Sequence, residues 1–140
     1  AQAKQTWQTL ENGLAEITFD KAKTWLLLSD LEAFEKAVLP ENVRLLPPYD
    51  HFLTLSDRAT LIPEKSLQSE IWRILGNPGV VLVEGEAAGT WRSQKKGKQL
   101  TITANLFGPV PPHTRDEIEA EAKLIAPIKG CTNVEVKIEG

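Results

Sequence analysis

Asp50, His51, Asp57 and Arg58 fall in one short stretch and are the first place to look for chemistry. A His beside a carboxylate can work as a general acid or base once it reaches a reacting proton. The same residues also read structurally. Asp forms turns by bonding its own backbone. Asp57 with Arg58 reads as an ion pair bracing a loop stiffened by Pro47 and Pro48. This structural reading is the preferred one. His113 sits among prolines before a helix start and reads as solvent-exposed. A nucleophilic triad needs a His within reach of its nucleophile, and no nucleophile elbow is present. One Cys and two widely spaced His do not make a zinc site. There is no phosphate loop and no dinucleotide fingerprint. Gly76, Gly79, Gly85 and Gly89 fall at turns and strand edges as backbone punctuation. No cofactor is expected.

The basic run is more informative. Arg92, Lys95, Lys96 and Lys98 occupy 92–98 with no acid among them. They fall at the tip of a predicted hairpin, where long cationic side chains reach a phosphate backbone. A solvated turn accounts for them equally well. The chain as a whole carries a formal charge of −3, from 16 basic and 19 acidic residues. Setting those four cations aside leaves 12 basic against 19 acidic residues. A free-standing nucleic-acid binder is usually basic overall, because phosphate neutralisation supplies most of its affinity. Trp72 and Trp91 have the ring faces for base stacking, but each reads first as core.

These side chains must be held by a small fold. The chain has 140 residues, 41% hydrophobic and 25% charged, the mixture of an ordinary globular domain. No apolar run is longer than Trp25–Leu28, which is far short of the ~20 residues of a membrane span. Membrane association is therefore not expected. No secretory signal is visible. A lone thiol, Cys131, points to a reducing, cytoplasmic origin. Met is absent and the chain opens in a helical pattern, so it reads as a fragment of a longer protein.

Residues 2–11 read as a helix ending at Asn12-Gly13. Alternation over 14–28 predicts a hairpin turning at Asp20–Lys23. Ser29-Asp30-Leu31-Glu32 matches a capping box and opens a helix ending before Pro40. Val43–Leu46 is a short strand. Residues 51–63 read as irregular or short-stranded, with Phe52, Leu53, Leu55, Leu61 and Ile62 as core candidates. A helix over 64–75 buries Leu67, Ile71, Ile74 and Leu75, with Trp72 at its border. Three strands follow: 80–84, 87–93 and, after a polar loop at 94–98, 99–107. Thr114-Arg115-Asp116-Glu117 is a second capping box, starting a helix that runs to Pro127. Residues 134–139 alternate Val/Ile with Glu/Lys and read as an edge strand. The expected fold is a single α+β domain. An antiparallel, strongly twisted or barrel-like sheet packs three to four helices, with one face under the 64–75 and 115–126 helices. Residues 1–40 form a helix-hairpin-helix lead-in, and 43–140 a β-rich core with two helices.

Two stretches carry a family resemblance. One is Leu45-Leu46-Pro47-Pro48-Tyr49-Asp50, followed by Asp57-Arg58 and Leu61-Ile62-Pro63. The other is Val81–Gly85, then Gly89-Thr90-Trp91-Arg92, a Lys-rich turn and the strand 100–107. Together they resemble the C-terminal part of the winged-helix DNA-binding family related to AlkZ-type DNA glycosylases. The resemblance implies a bacterial protein built of winged-helix units and a C-terminal β-rich region, acting on duplex DNA. It makes Pro47, Pro48, Asp50, Asp57, Arg58, Gly89 and Trp91 structural motif residues. Glycosylase members use paired glutamines near the N-terminal end of the full protein. Gln2, Gln5 and Gln8 lie in a different context, so no catalytic residue is carried over.

The resulting expectation is a non-catalytic C-terminal domain that supports duplex DNA binding within the full-length protein, with 92–98 as phosphate contact. The parent reads as a DNA glycosylase for alkylated bases, which must extrude the target nucleotide, or as a DNA-binding relative without that activity. Two alternatives stay open. A small-molecule or nucleotide enzyme site near Asp50 and His51 predicts a concave pocket there. A protein-interaction module predicts an uncovered apolar patch. Gathering of Arg92, Lys95, Lys96 and Lys98 with Arg44 or Arg73 on one face favours DNA contact, and scattering counts against it.

Overall fold

The computed structural model describes residues 2–19, 21–38, 40–55 and 57–140. Two compact units divide the chain, Ala1–Val38 and Leu39–Gly140. The first holds helix α1 (Gln2–Leu10), the hairpin β1 (Leu14–Phe19) and β2 (Ala22–Leu27), and the short helix α2 (Leu31–Glu35). Within it, Trp7 and Trp25 meet edge-to-face at 5.4 Å, and Lys23 pairs with Glu16 across the hairpin at 2.6 Å. The expected turn begins at Asp20, which lies outside the described residues, and β2 already starts at Ala22. The Ser29 capping box does not form. Ser29 Oγ donates instead to Asp30 Oδ1, and a 3-10 turn over Leu28–Asp30 leads into α2.

The second unit is built on a five-stranded sheet in the order β3-β4-β5-β6-β7. Its strands are β3 (Val43–Leu46), β4 (Gly79–Val83), β5 (Glu86–Lys96), β6 (Gln99–Leu106) and β7 (Asn133–Glu139). Among the described residues four helices accompany it: α3 (His51–Leu55), α4 (Arg58–Leu61), α5 (Lys65–Ile71) and α6 (Thr114–Ile128). The expected mixed α+β class holds. The sheet is open, however, and not closed into a barrel, because β3 and β7 are separate edges. Nor is it wholly antiparallel. β7 runs parallel to β6 because the 15-residue α6 carries the chain back across the sheet, the connection that parallel strands require.

Alternation along the strands makes two faces. On one, Val43, Leu45, Val81, Val83, Trp91, Leu100, Ile102, Ala104 and Leu106 pack under Ile118, Ala122 and Ala126 of α6. On the other, Val80 packs with Leu53, Ile62 and Ile71. The helices thus lie on opposite faces, not on one as expected, because β4 is apolar at every position and presents residues both ways.

Residues 51–55 and 58–61, expected to be irregular or short-stranded, form the helices α3 and α4. Leu53 and Ile62 are buried as expected and Phe52 is exposed; the Leu55 side chain lies outside the described residues. Helix α5 stops at Ile71, so Ile74 and Leu75 are exposed instead of buried. Asn77 Oδ1 accepts the Arg73 N–H at 2.9 Å, and Gly76 takes a left-handed φ of 67°. Both turn the chain away before Pro78. The second capping box also fails. Thr114 is already inside α6, its Oγ1 is buried without a partner, and Glu117 is used elsewhere.

Glu117 and its i+4 neighbour Glu121 reach the outer edge of β3. Val43 N–H donates to Glu117 Oε2 at 2.8 Å, and Leu45 N–H to Glu121 Oε2 at 3.4 Å. Arg44 donates to Glu121 Oε1 at 3.2 Å. Carboxylates therefore occupy backbone donors that an edge strand would otherwise leave exposed. Among the described residues no helix is long and apolar enough to cross a membrane.

Candidate nucleic-acid interface

Two tight turns set the position of the basic residues. Glu84 and Gly85 both have positive φ, 52° and 85°, as a two-residue I′ hairpin turn requires. This turn joins β4 to β5. The next turn places Gly97 at φ 60° as first central residue, with Lys96 and Gln99 paired across it. That is the glycine position of a II′ turn. β5 therefore continues through Lys96, where the sequence predicted a loop from Gln94.

β4 begins opposite Trp91, so Arg92–Lys96 pair with β6 alone. This half of the hairpin is a ledge beyond the sheet's first two strands. Lys98 O accepts N–H bonds from Thr132 and Asn133, which fix the turn to the start of β7.

Alternation separates the four cations. Arg92 and Lys96 share the face away from α6; Lys95 lies on the α6 face, and Lys98 is in the turn. Arg92 donates to Gly76 O at 2.6 Å. Lys95 Nζ donates to Lys129 O at 2.7 Å, at the carbonyl end of α6 where a cation is favoured. Lys96 and Lys98 form no ion pair among the described residues. Arg44 pairs with Glu121 and Arg73 with Glu70.

Trp91 is core, 5% exposed. Its Nε1–H donates to Leu46 O at 2.7 Å. Gly79 lies directly opposite, and the indole rests where a side chain would project. Gly89 allows a similar close approach of Asn105 O.

The Asp50 stretch does local structural work. Asp50 Oδ1 accepts Phe52 N–H at 2.9 Å, and Asp57 Oδ1 accepts Ala59 N–H at 3.2 Å, so each carboxylate caps a short helix. The expected Asp57–Arg58 ion pair is absent among the described residues. Arg58 lies instead over the Trp72 ring, 5.0 Å from its centroid. His51 is exposed. Pro48 and Tyr49 form a turn closed by Asp50 N–H to Pro47 O at 3.2 Å, with Tyr49 at φ 64°.

The sequence did not reveal a groove of about 480 Å³ beside the ledge. Leu45, Pro47, Pro48, Asn77, Pro78 and Trp91–Ser93 line it, with Ile125, Ile128 and Lys129 of α6. The available clue was the pair of proline breaks, Pro47-Pro48 and Pro78, which stop β3 and β4 while β5 runs on.

A family model described as DNA glycosylase AlkZ-like matches residues 1–128. Among solved structures, Streptomyces sahachiroi DNA glycosylase AlkZ is similar to this chain, with a TM-score of 0.76 and 21% sequence identity. The match covers 96% of this chain and 36% of that chain, so the present chain spans about a third of that protein's length. No curated protein matches the sequence.

Proposed function

Because the chain belongs to the AlkZ-like DNA glycosylase family, we propose that it is a non-catalytic C-terminal domain of a winged-helix DNA-repair protein and supports duplex DNA binding. Arg92, Lys95, Lys96 and Lys98 are its phosphate contacts in this reading. The observation that carries it is the ledge. A hairpin projects past β4 and holds Lys96 and Lys98 at its tip, without an acidic partner among the described residues. These two carry the larger share, since Arg92 and Lys95 are engaged with backbone carbonyls. The assigned jobs of Asp50, Asp57, Glu117 and Glu121 support a scaffold role for this portion. Excising a base requires extruding its nucleotide at a cost of a few kcal/mol. Contacts that fix the flanking backbone help to hold that distorted duplex.

The test is duplex binding across a salt series, comparing the chain with a Lys96→Ala/Lys98→Ala variant. Two lost phosphate contacts lower the log–log salt slope by about 2. Equal affinity at every salt concentration overturns the assignment.

A further inference from the structure

The three strand edges of the sheet are treated differently. The β3 edge is closed by Glu117 and Glu121. The β7 edge carries charges of both signs, Glu135, Lys137 and Glu139, as protected edges commonly do. The Arg92–Lys96 ledge has no such carboxylate seal and is guarded only by its cations, Arg92, Lys95 and Lys96. No backbone hydrogen bond beyond the β6 ladder reaches it among the described residues. Its charges are of one sign, and no carboxylate lines the adjoining groove. Pro47, Pro48 and Pro78 form a wall that offers no N–H donors of its own.

We propose that this ledge is a strand-addition site for an extended peptide in which apolar residues alternate with acidic ones. A strand entering the gap left by β4 pairs its backbone with Arg92–Lys96. Its side chains then alternate between two surroundings. Those on the α6 side meet Ile125 and the exposed Ile128, beside Lys95 and the Lys129 carbonyl it bonds. Those on the other side meet Arg92 and Lys96, where carboxylates are complementary. β7 shows the same logic within the fold. Its Val134, Val136 and Ile138 face the core side while Glu135, Lys137 and Glu139 face the other.

The experiment uses the full chain, isotope-labelled, titrated with a seven-residue peptide alternating Val and Glu and with its Val/Lys counterpart. The Val/Glu peptide is expected to shift and protect the amides of 92–96, while the Val/Lys peptide binds at least about tenfold more weakly. Ile128→Asp, on an exposed helix position outside the proposed DNA contacts, is expected to weaken Val/Glu binding by about tenfold with the fold intact. Equal binding of both peptides, or shifts confined to β7, overturns the proposal. So does perturbation of 92–96 by duplex DNA with no response to either peptide. Loss of the Lys96/Lys98 salt effect removes the DNA reading alone and leaves this one standing.

Discussion

Replacing Gly79 by Ala tests the packing beneath the ledge. A Cβ at this position would sit 2.5 Å from Leu46 O and 2.5 Å from Trp91 Cε2, and close to Trp91 Nε1 as well. Ordinary contacts are about 3.5–4 Å, so the indole or strand β3 must move by about 1 Å. Overpacking of this kind costs about 1–3 kcal/mol. If the indole moves, its 2.7 Å bond to Leu46 O breaks, and a partly buried carbonyl loses its partner for about 1–3 kcal/mol more. The lower backbone entropy of Ala in the unfolded chain returns about 0.5–1 kcal/mol. The net expectation is a loss of about 2–4 kcal/mol. With a urea slope of about 1.5 kcal/mol/M, the unfolding midpoint falls by about 1–3 M. Gly108→Ala is the control, since nothing lies within 4 Å of a Cβ there. The substitution repeated in a Trp91→Phe background should cost at least about 1 kcal/mol less, because the smaller ring removes the clash with the indole and leaves only the one with Leu46 O. A loss below about 0.5 kcal/mol for Gly79→Ala, or strict additivity with Trp91→Phe, refutes the reasoning.

Two further substitutions probe α6. Thr114→Val removes a buried hydroxyl without a partner and is expected to stabilise by about 1 kcal/mol, read as a rise in Tm; a fall in Tm contradicts an orphaned hydroxyl. Glu117→Ala is expected to cost about 1–2 kcal/mol and to speed hydrogen exchange at the Val43 amide, while Glu117→Gln, which keeps an acceptor, retains most of the protection. Equal exchange in both variants places the Val43 amide under some other control.

The strands were legible where alternation and apolar content agreed. Leu100, Ile102, Ala104 and Leu106 mark β6 and its buried face, and Trp91 reads correctly as core. The end of β5 was not legible. Arg92–Lys96 are polar on both faces, and only pairing with β6 keeps them extended. Thr114-x-x-Glu117 has the right residues for a capping box, yet Glu117 satisfies an N–H on β3 instead. That competition arises across 74 residues of chain and leaves no local trace. Ile74 and Leu75 continue an apolar helical pattern, but the Asn77 side chain captures Arg73 N–H and ends it. The groove escaped for a related reason: it is a difference in length between neighbouring strands, which no single segment records. The Asp50 and Asp57 caps were legible, because an Asx bond acts within two residues.

The carboxylate seal on β3 has a consequence for biosynthesis. Val43 and Leu45 wait for acceptors that lie 74 and 76 residues further along the chain. At about 5–20 residues per second, roughly 4–15 seconds separate translation of β3 from that of the helix that completes it. Through that interval the nascent strand's amides stay open to water, to chaperones or to a neighbouring polypeptide on the same messenger. Slowing elongation between the codons for Leu46 and Glu117 prolongs this vulnerable interval, whereas added stability in the finished fold does nothing to shorten it.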